Sequence, residues 1–202
     1  ADGCCRHTLN SQGNQRYTVS FKQHDKNEKL MEEIFKGLPF EVKRYKNKSQ
    51  NTSNWEIHSK QLWDYLSQFG KSKEKFIPLE IKSLPTNNLQ ILLDYYLKGD
   101  CTHTVNNNGL TISTVSKKLA EDWQEIILKL GNLVQLSERK ITYDKKPYKL
   151  FCIFISNNIK NVRYPKPLFE KNVKLVFCPE LEKNGIVLTR RNGKISFSGN
   201  TN

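Results

Sequence analysis

Two aspartates, Asp2 and Asp100, stand 98 positions apart. Asp100 closes the run Leu92-Leu-Asp-Tyr-Tyr-Leu-Lys-Gly-Asp100, followed by Cys101. That spacing predicts a packed helix that delivers a carboxylate at its last residue. Ala1-Asp2-Gly3 presents an acid in the same relation to the strand that follows it. Two carboxylates brought close repel when both are ionised, and a shared divalent ion relieves the repulsion. Hard oxygen ligands suit Mg²⁺, which keeps waters and binds phosphate oxygens. Such ions activate water and stabilise the leaving oxygen in phosphodiester hydrolysis. The pair therefore points to metal-dependent nuclease chemistry. A single aspartate at a helix end would be only a solvated cap.

The elements that must position these acids read as two similar halves. Tyr17–Phe21 alternates in strand-forming residues. Leu30, Met31, Ile34 and Phe35 fall at helical spacing before Gly37. Phe40–Tyr45 and Trp55–His58 read as strands joined by a polar turn, and Ser59 caps a helix carrying Leu62, Trp63, Leu66 and Phe69, ended by Gly70. The order is β-β-α-β-β-α. Ile77-Pro78 opens a linker that includes Pro85. Thr86 is an N-cap candidate for a helix over Asn87–Lys98. The order then repeats: a strand at Leu110–Thr114, a helix over Ser116–Leu130 stopped by Gly131, and an apolar strand at Tyr148–Ile155. A period of about 95 residues is far longer than a solenoid repeat. It implies a pseudo-twofold domain, like a homodimer fused into one chain, with chance similarity of two strand–helix units as the alternative. Side by side on that axis, the helices would bring Asp2 and Asp100 together.

From about Asn161 the chain changes to short strands, prolines and polar turns. Val173–Phe177 and Ile186–Arg190 read as strands, and Asn192-Gly193 as a hairpin turn. No helix is expected after Lys160.

Composition narrows the function classes. The 202 residues carry 33 Lys+Arg against 20 Asp+Glu, a net charge of +13. An excess spread along most of the chain fits a polyanionic partner, most often nucleic acid, with a basic surface kept for solubility as the alternative. Cys4, Cys5, Cys101, Cys152 and Cys178 are odd in number and form no C-x-x-C pair, which argues against a disulfide framework or a zinc ribbon and fits a reducing cytosol. His7, His24, His58 and His103 are scattered without metal-ligand spacing. No apolar run approaches the ~20 residues that span a bilayer, so no membrane partner is expected. The chain opens without a methionine and contains only Met31, so its start is expected upstream.

Residues 92–101 resemble the second LAGLIDADG motif in its intein form, which ends Leu-x-Gly-Asp-Gly. Here Cys101 stands where Gly is usual. Ala1-Asp2-Gly3 resembles the end of the first motif, without its helix. The resemblance implies an α+β fold: a duplicated αββαββα LAGLIDADG homing endonuclease domain over 1–158, with halves at about 1–85 and 86–158. It places Asp2 and Asp100 on the metal-binding acids, with Mg²⁺ as cofactor. It implies two sheets saddled over the major groove of double-stranded DNA, with Lys43, Arg44, Lys46 and Lys48 at phosphates or bases. The family commonly has an active-site lysine in each half, and Lys75 is the candidate in the first.

The end of the chain, from Val176 to Ser198-Gly199-Asn200-Thr201-Asn202, resembles the C-terminal blocks of inteins. This implies a short all-β piece of a Hint splicing domain over 159–200, with 201–202 a remnant of the host protein, the extein. In that reading the Asn200 side-chain amide attacks its own backbone carbonyl. A succinimide forms and the bond to Thr201 breaks, while the Thr201 hydroxyl receives the upstream host segment as an ester. Cys178 falls where an assisting Asp, sometimes Cys, is usual. Two departures stand out: Gly199 replaces the penultimate His, and Gly185 replaces a further His. The N-terminal nucleophile and its Thr-x-x-His block are absent, so splicing is expected to need a missing N-terminal intein segment, in cis or in trans. The setting implied is the cytoplasm of a bacterial, archaeal or phage-infected cell. Two other readings compete: a free-standing or intron-encoded endonuclease or maturase without splicing, and a degenerate, non-catalytic DNA-binding protein.

Overall fold

Local pairing of neighbouring strands builds this chain. The computed structural model describes residues 3–9, 11–104, 109–144, 146–156, 185–191 and 193–199. They fall into two compact units, residues 1–71 and 72–202.

The first unit runs β1 (Gly3–Leu9), β2 (Gln15–His24), α1 (Glu28–Lys36), β3 (Val42–Asn47), β4 (Thr52–Ile57) and α2 (Lys60–Ser67). Its antiparallel sheet has the order β1-β2-β4-β3. Gly13, at φ 79°, makes the turn between β1 and β2 in a conformation that costs most other residues energy. One face of the sheet is apolar and takes the helices. Phe35 of α1 packs on Phe21 and Trp55, with ring centroids 5.5 and 6.1 Å apart. Ser59 caps α2 by accepting from the Leu62 N–H at 3.2 Å. The fully buried core here is small, built on Phe35, Trp55 and Ile57.

The second unit runs α3 (Leu79–Lys82), α4 (Thr86–Asp100), β5 (Cys101–Thr104), β6 (Gly109–Thr114), α5 (Lys117–Lys129), β7 (Leu133–Tyr143) and β8 (Lys146–Ser156). The hairpin β9 (Ile186–Arg191) and β10 (Lys194–Gly199) follows later in the chain. The sheet order β5-β6-β8-β7 repeats that of the first unit strand for strand. β1 begins at Gly3 and β5 at Cys101, the same 98-residue offset that separates the two aspartates. The duplication expected from the strand–helix pattern is thus present. Trp123, Ile126 and Ile127 of α5 are buried against Ile112, Phe151 and Ile153 of the sheet and Leu89 and Leu93 of α4. Ser116 caps α5, accepting from the Leu119 N–H at 3.1 Å.

Several expectations need correction. The stretch from Ile77 is not only a linker. It contains α3, whose Lys82 ammonium reaches Asp122 at 3.0 Å and Glu125 at 2.8 Å on α5. That pairing ties residues before 85 to the second unit, which begins at Ser72. Thr86 lies inside the first turn of α4, with Pro85 at the N-cap. The Pro85 carbonyl accepts from Asn88 and Leu89, and no side chain caps the helix. The sequence pattern gives no residue bounds for β1, β5 and β7. β1 is exposed at every position but Cys5 and so lacks the alternation of a half-buried strand. The tail hairpin forms as expected: Arg191 pairs with Lys194 across a two-residue loop, with Gly193 at φ 74°. Its turn docks on α5, where the buried Gln124 side chain donates to the Gly193 carbonyl at 2.9 Å. The expected strand Val173–Phe177 lies outside the described residues.

Candidate nucleic-acid interface

Side chains alternate across a strand, so the register of the first sheet sorts its residues between two faces. Trp55 and Ile57 turn to the helices, and Val19, Phe21, Val42 and Arg44 share that face by pairing with them. The opposite face carries Arg6, Arg16, Thr18, Ser20, Lys22, Lys43, Asn54 and Glu56. It is polar along its length. Even Thr18 and Ser20, each 6% exposed, are hydroxyl residues where a second core would place Val or Ile. A sheet that is apolar on one side and polar and basic on the other has one face to pack and one to present.

The presented face is ordered by side-chain pairs. Arg6 Nη2 donates to Glu56 Oε1 at 3.0 Å, and Asn54 Nδ2 donates to the same oxygen at 2.9 Å. Arg16 Nη2 lies 2.6 Å from His58 Nε2, while His58 Nδ1 meets Thr18 Oγ1 at 3.2 Å. Lys22 reaches Gln50 at 2.8 Å. Burial, with the Arg16 charge beside it, pushes the His58 imidazole below its ordinary 6.5, against the opposing pull of Glu56. Neutral His58 can then accept from Arg16 through Nε2 and carry its proton on Nδ1. An NMR titration is expected to find His58 titrating below 6.5 as the Nδ1-protonated tautomer. A pKa above 6.5 would contradict the arrangement.

The four cations expected at DNA do not share one surface. Lys43 faces the open side, with Glu41 at 3.7 Å. Arg44 and Lys46 face the helices, because a period of two turns neighbours to opposite sides. Arg44 donates to Glu28 and to Ser53 Oγ, and its guanidinium lies 5.5 Å over the Trp55 ring. Lys46 lies 3.6 Å from Asp25. The hydrogen bond to Glu28 raises Arg44 above its ordinary range and lowers Glu28. These two residues fasten β3 to α1 and are not placed to read DNA on the open face. Lys48 sits in the exposed turn between β3 and β4. Arg6, Arg16 and Lys22 were missed. Pairing partners decide which strand face is open, and that information is not local.

At the acid end, α4 runs directly into β5. Asp100 is its last residue and Cys101, at φ −107° and ψ 140°, is already extended. Burial pushes the Cys101 thiol up, partly offset by a backbone hydrogen bond at Thr111, so it stays protonated near neutral pH. Cys101 is therefore a small neutral neighbour and not a thiolate ligand. Lys75 was expected in the first half but belongs to the second unit, where its carbonyl accepts from Ser116 Oγ at 2.6 Å. Asp2, Cys178, Asn200 and Thr201 lie outside the described residues. Gly199 closes β10 opposite Ile186.

The open face of the second sheet is less charged. It carries Thr111, Ser113, Ser137, Arg139, Cys152 and Phe154 by register. Arg139 lies 5.5 Å over the Phe154 ring. Thr111 Oγ1 and Ser137 Oγ are buried with no partner among the described residues.

Repeated ββαββ units, each following an acid with a 98-residue offset, can be compared with known proteins. A structure of a mesophilic variant of the homing endonuclease I-DmoI aligns at TM-score 0.52 and 17% identity over 77% of this chain and 77% of that one. I-DmoI in complex with DNA and Ca aligns at TM-score 0.52 and 16% identity, again over 77% of each chain. The fold is that of a LAGLIDADG homing endonuclease. The LAGLIDADG-like domain family matches residues 89–164, which include the 92–101 motif and the α4–β5 junction at Asp100. The G20S variant of I-DmoI has been solved with its target DNA in the presence of Mg, and I-DmoI with DNA and Mn. Among curated relatives, the ATP-dependent Clp protease proteolytic subunit of Chlamydomonas moewusii is 28% identical over 124 residues, 60% of this chain. The replication factor C small subunit of Methanocaldococcus jannaschii is 26% identical over 135 residues, 65% of this chain. This chain spans 12% and 7% of the length of those two proteins.

Proposed function

We propose that this chain is the DNA-recognising and cleaving part of a homing endonuclease, set within an intein and carrying that intein's C-terminal splicing end. The observation that carries the DNA reading is the open, basic face of the first sheet within a duplicated LAGLIDADG fold. A twisted sheet face of this kind fits the major groove, where each base pair presents a distinct donor and acceptor pattern. The net charge of +13 supports the same partner. Asp2 and Asp100 are the residues that would hold a divalent ion, Mg²⁺ by the oxygen chemistry of the donors. When bound, the ion supplies an activated water and stabilisation of the leaving oxygen. Among the described residues no group of three or more His, Cys, Asp or Glu could hold a metal. Mg²⁺ keeps several waters, and these with phosphate oxygens would complete its coordination.

The test is binding and cleavage of a random-sequence duplex library by the 202-residue chain with Mg²⁺. Binding that weakens steeply with salt is expected, since each phosphate contact releases a counterion. Binding without Mg²⁺-dependent cleavage would favour the non-catalytic reading. No binding would remove the DNA reading altogether.

The intein setting rests on separate observations. Similar segments lie in two much longer proteins whose names share no activity, which supports an inserted element over a shared host function. Asn200 and Thr201, next in sequence after Gly199, supply an amide and a hydroxyl for bond exchange. With a reporter fused after Asn202 and a complementary N-terminal intein segment supplied, Asn200→Ala is expected to abolish release of the reporter. Unchanged release would leave an endonuclease without splicing, free-standing or intron-encoded.

A further inference from the structure

The two arginines of the first open face are held in different ways. Arg6 is anchored on Glu56, which Asn54 also orients. Arg16 is anchored on His58, which Thr18 orients in turn. Both anchors stand at or just beyond β4, and both are largely sheltered: the side chains of Glu56 and His58 are 15% and 25% exposed, against 54% for Arg6. A guanidinium has five N–H donors in a rigid planar fork. One anchoring bond leaves the remaining donors free for a ligand. Such an arginine has already given up much of its rotamer freedom, so it loses less on binding than a free one would. Neutralising a phosphate does not require this, because a swivelling lysine does it as a point charge. A fixed fork instead matches an acceptor pair at fixed spacing, and guanine O6 and N7 offer one in the major groove.

We propose that Arg6 and Arg16 read guanines in the major groove, with Glu56 and His58 as their positioning residues. The inference rests on the DNA-binding reading above. His58 is the more informative anchor, because it can hold Arg16 only as a neutral acceptor. It faces Arg16 and Thr18 on β2, Glu56 on β4, and Lys43 and Glu41 on the β3 side.

The test selects preferred sites from a random-sequence duplex library with the full chain, and repeats the selection with variants whose folding is checked by circular dichroism. Arg6→Lys and Arg16→Lys keep the charge and lose the fork. Each is expected to lose a guanine preference at its own position by on the order of 10- to 100-fold, with the salt dependence of binding unchanged. His58→Leu is expected to relax the Arg16 position and no other. His58→Gln, whose side-chain carbonyl can accept from Arg16, is expected to restore it. If the lysine variants keep every base preference, the arginines are phosphate contacts or surface ion pairs and the inference fails. It fails equally if His58→Leu and Arg16→Lys act at different positions. Duplex binding by the wild-type chain with no selection for guanine overturns this inference alone. A wild-type chain that binds no duplex overturns the DNA reading beneath it.

Discussion

Asp100→Asn is expected to abolish Mg²⁺-dependent cleavage while leaving duplex affinity nearly unchanged. The substitution keeps the size of the side chain and removes its charge at the end of α4. In the proposed reading the bound ion provides several kcal/mol of charge stabilisation. Losing about 4 kcal/mol slows the reaction on the order of a thousandfold. The measurement is single-turnover cleavage of a duplex that the wild-type chain has selected, with binding followed in parallel. In the same reading the open sheet face, and not the acid, supplies the contacts to DNA, so binding is expected to survive. Wild-type cleavage by Asp100→Asn would remove Asp100 from the metal site. The exposed Asp94 on the same helix is a suitable control. It pairs only with Gln90 among the described contacts, so Asp94→Asn should leave cleavage unchanged.

Asp122→Ala is expected to destabilise the second unit by about 3 kcal/mol, the lower end of the range for breaking a buried ion pair. The Asp122 side chain is 2% exposed and gathers three donors from three places in the chain. The Ile77 N–H reaches Oδ2 at 2.9 Å, Lys82 Nζ reaches Oδ1 at 3.0 Å, and Lys118 pairs with the same oxygen one turn earlier on α5. Alanine leaves the Ile77 N–H and much of the Lys82 charge without an acceptor. Glu125 still holds Lys82 at 2.8 Å, which places the expected loss at the lower end. Burial alone would lower Lys82, yet its bonds to Glu125 and Asp122 hold it above its ordinary 10.5. A pKa raised on folding gives stability that is complete below the unfolded value and is lost as pH rises through the folded one. The contribution therefore persists at neutral pH and fades only in strong base. Urea denaturation of the variant at neutral pH measures the loss. A change below about 0.5 kcal/mol, ordinary for a surface substitution, would show that the network does not hold α3 to α5.

The fold itself was largely legible in the sequence. Apolar residues at helical spacing in Leu30–Phe35 and Leu119–Leu130 place α1 and α5. Ser59 and Ser116 mark helix starts because a hydroxyl before a helix satisfies an N–H that has no partner within it. The 98-residue offset of two acids signals the duplication before any pairing is known. These signals are local, so they can be read without the rest of the chain.

What the tertiary structure decided depends on partners distant in sequence. β1 and β5 have weak local signals, and pairing with β2 and β6 makes them strands. α3 joins the second unit because Lys82 meets Asp122, forty positions away. Lys43, Arg44 and Lys46 form one basic cluster on paper, yet strand alternation and the register with β4 send Lys43 to the open face and the other two to the helices. Arg6 and Arg16 carry no motif at all. They become a candidate reading surface only because β1, β2 and β4 lie side by side, setting Glu56 and His58 beneath them. The sequence by itself determined which helices form, where the repeat falls and which acid ends α4. The register of strands brought together from distant positions decided which charges face outward.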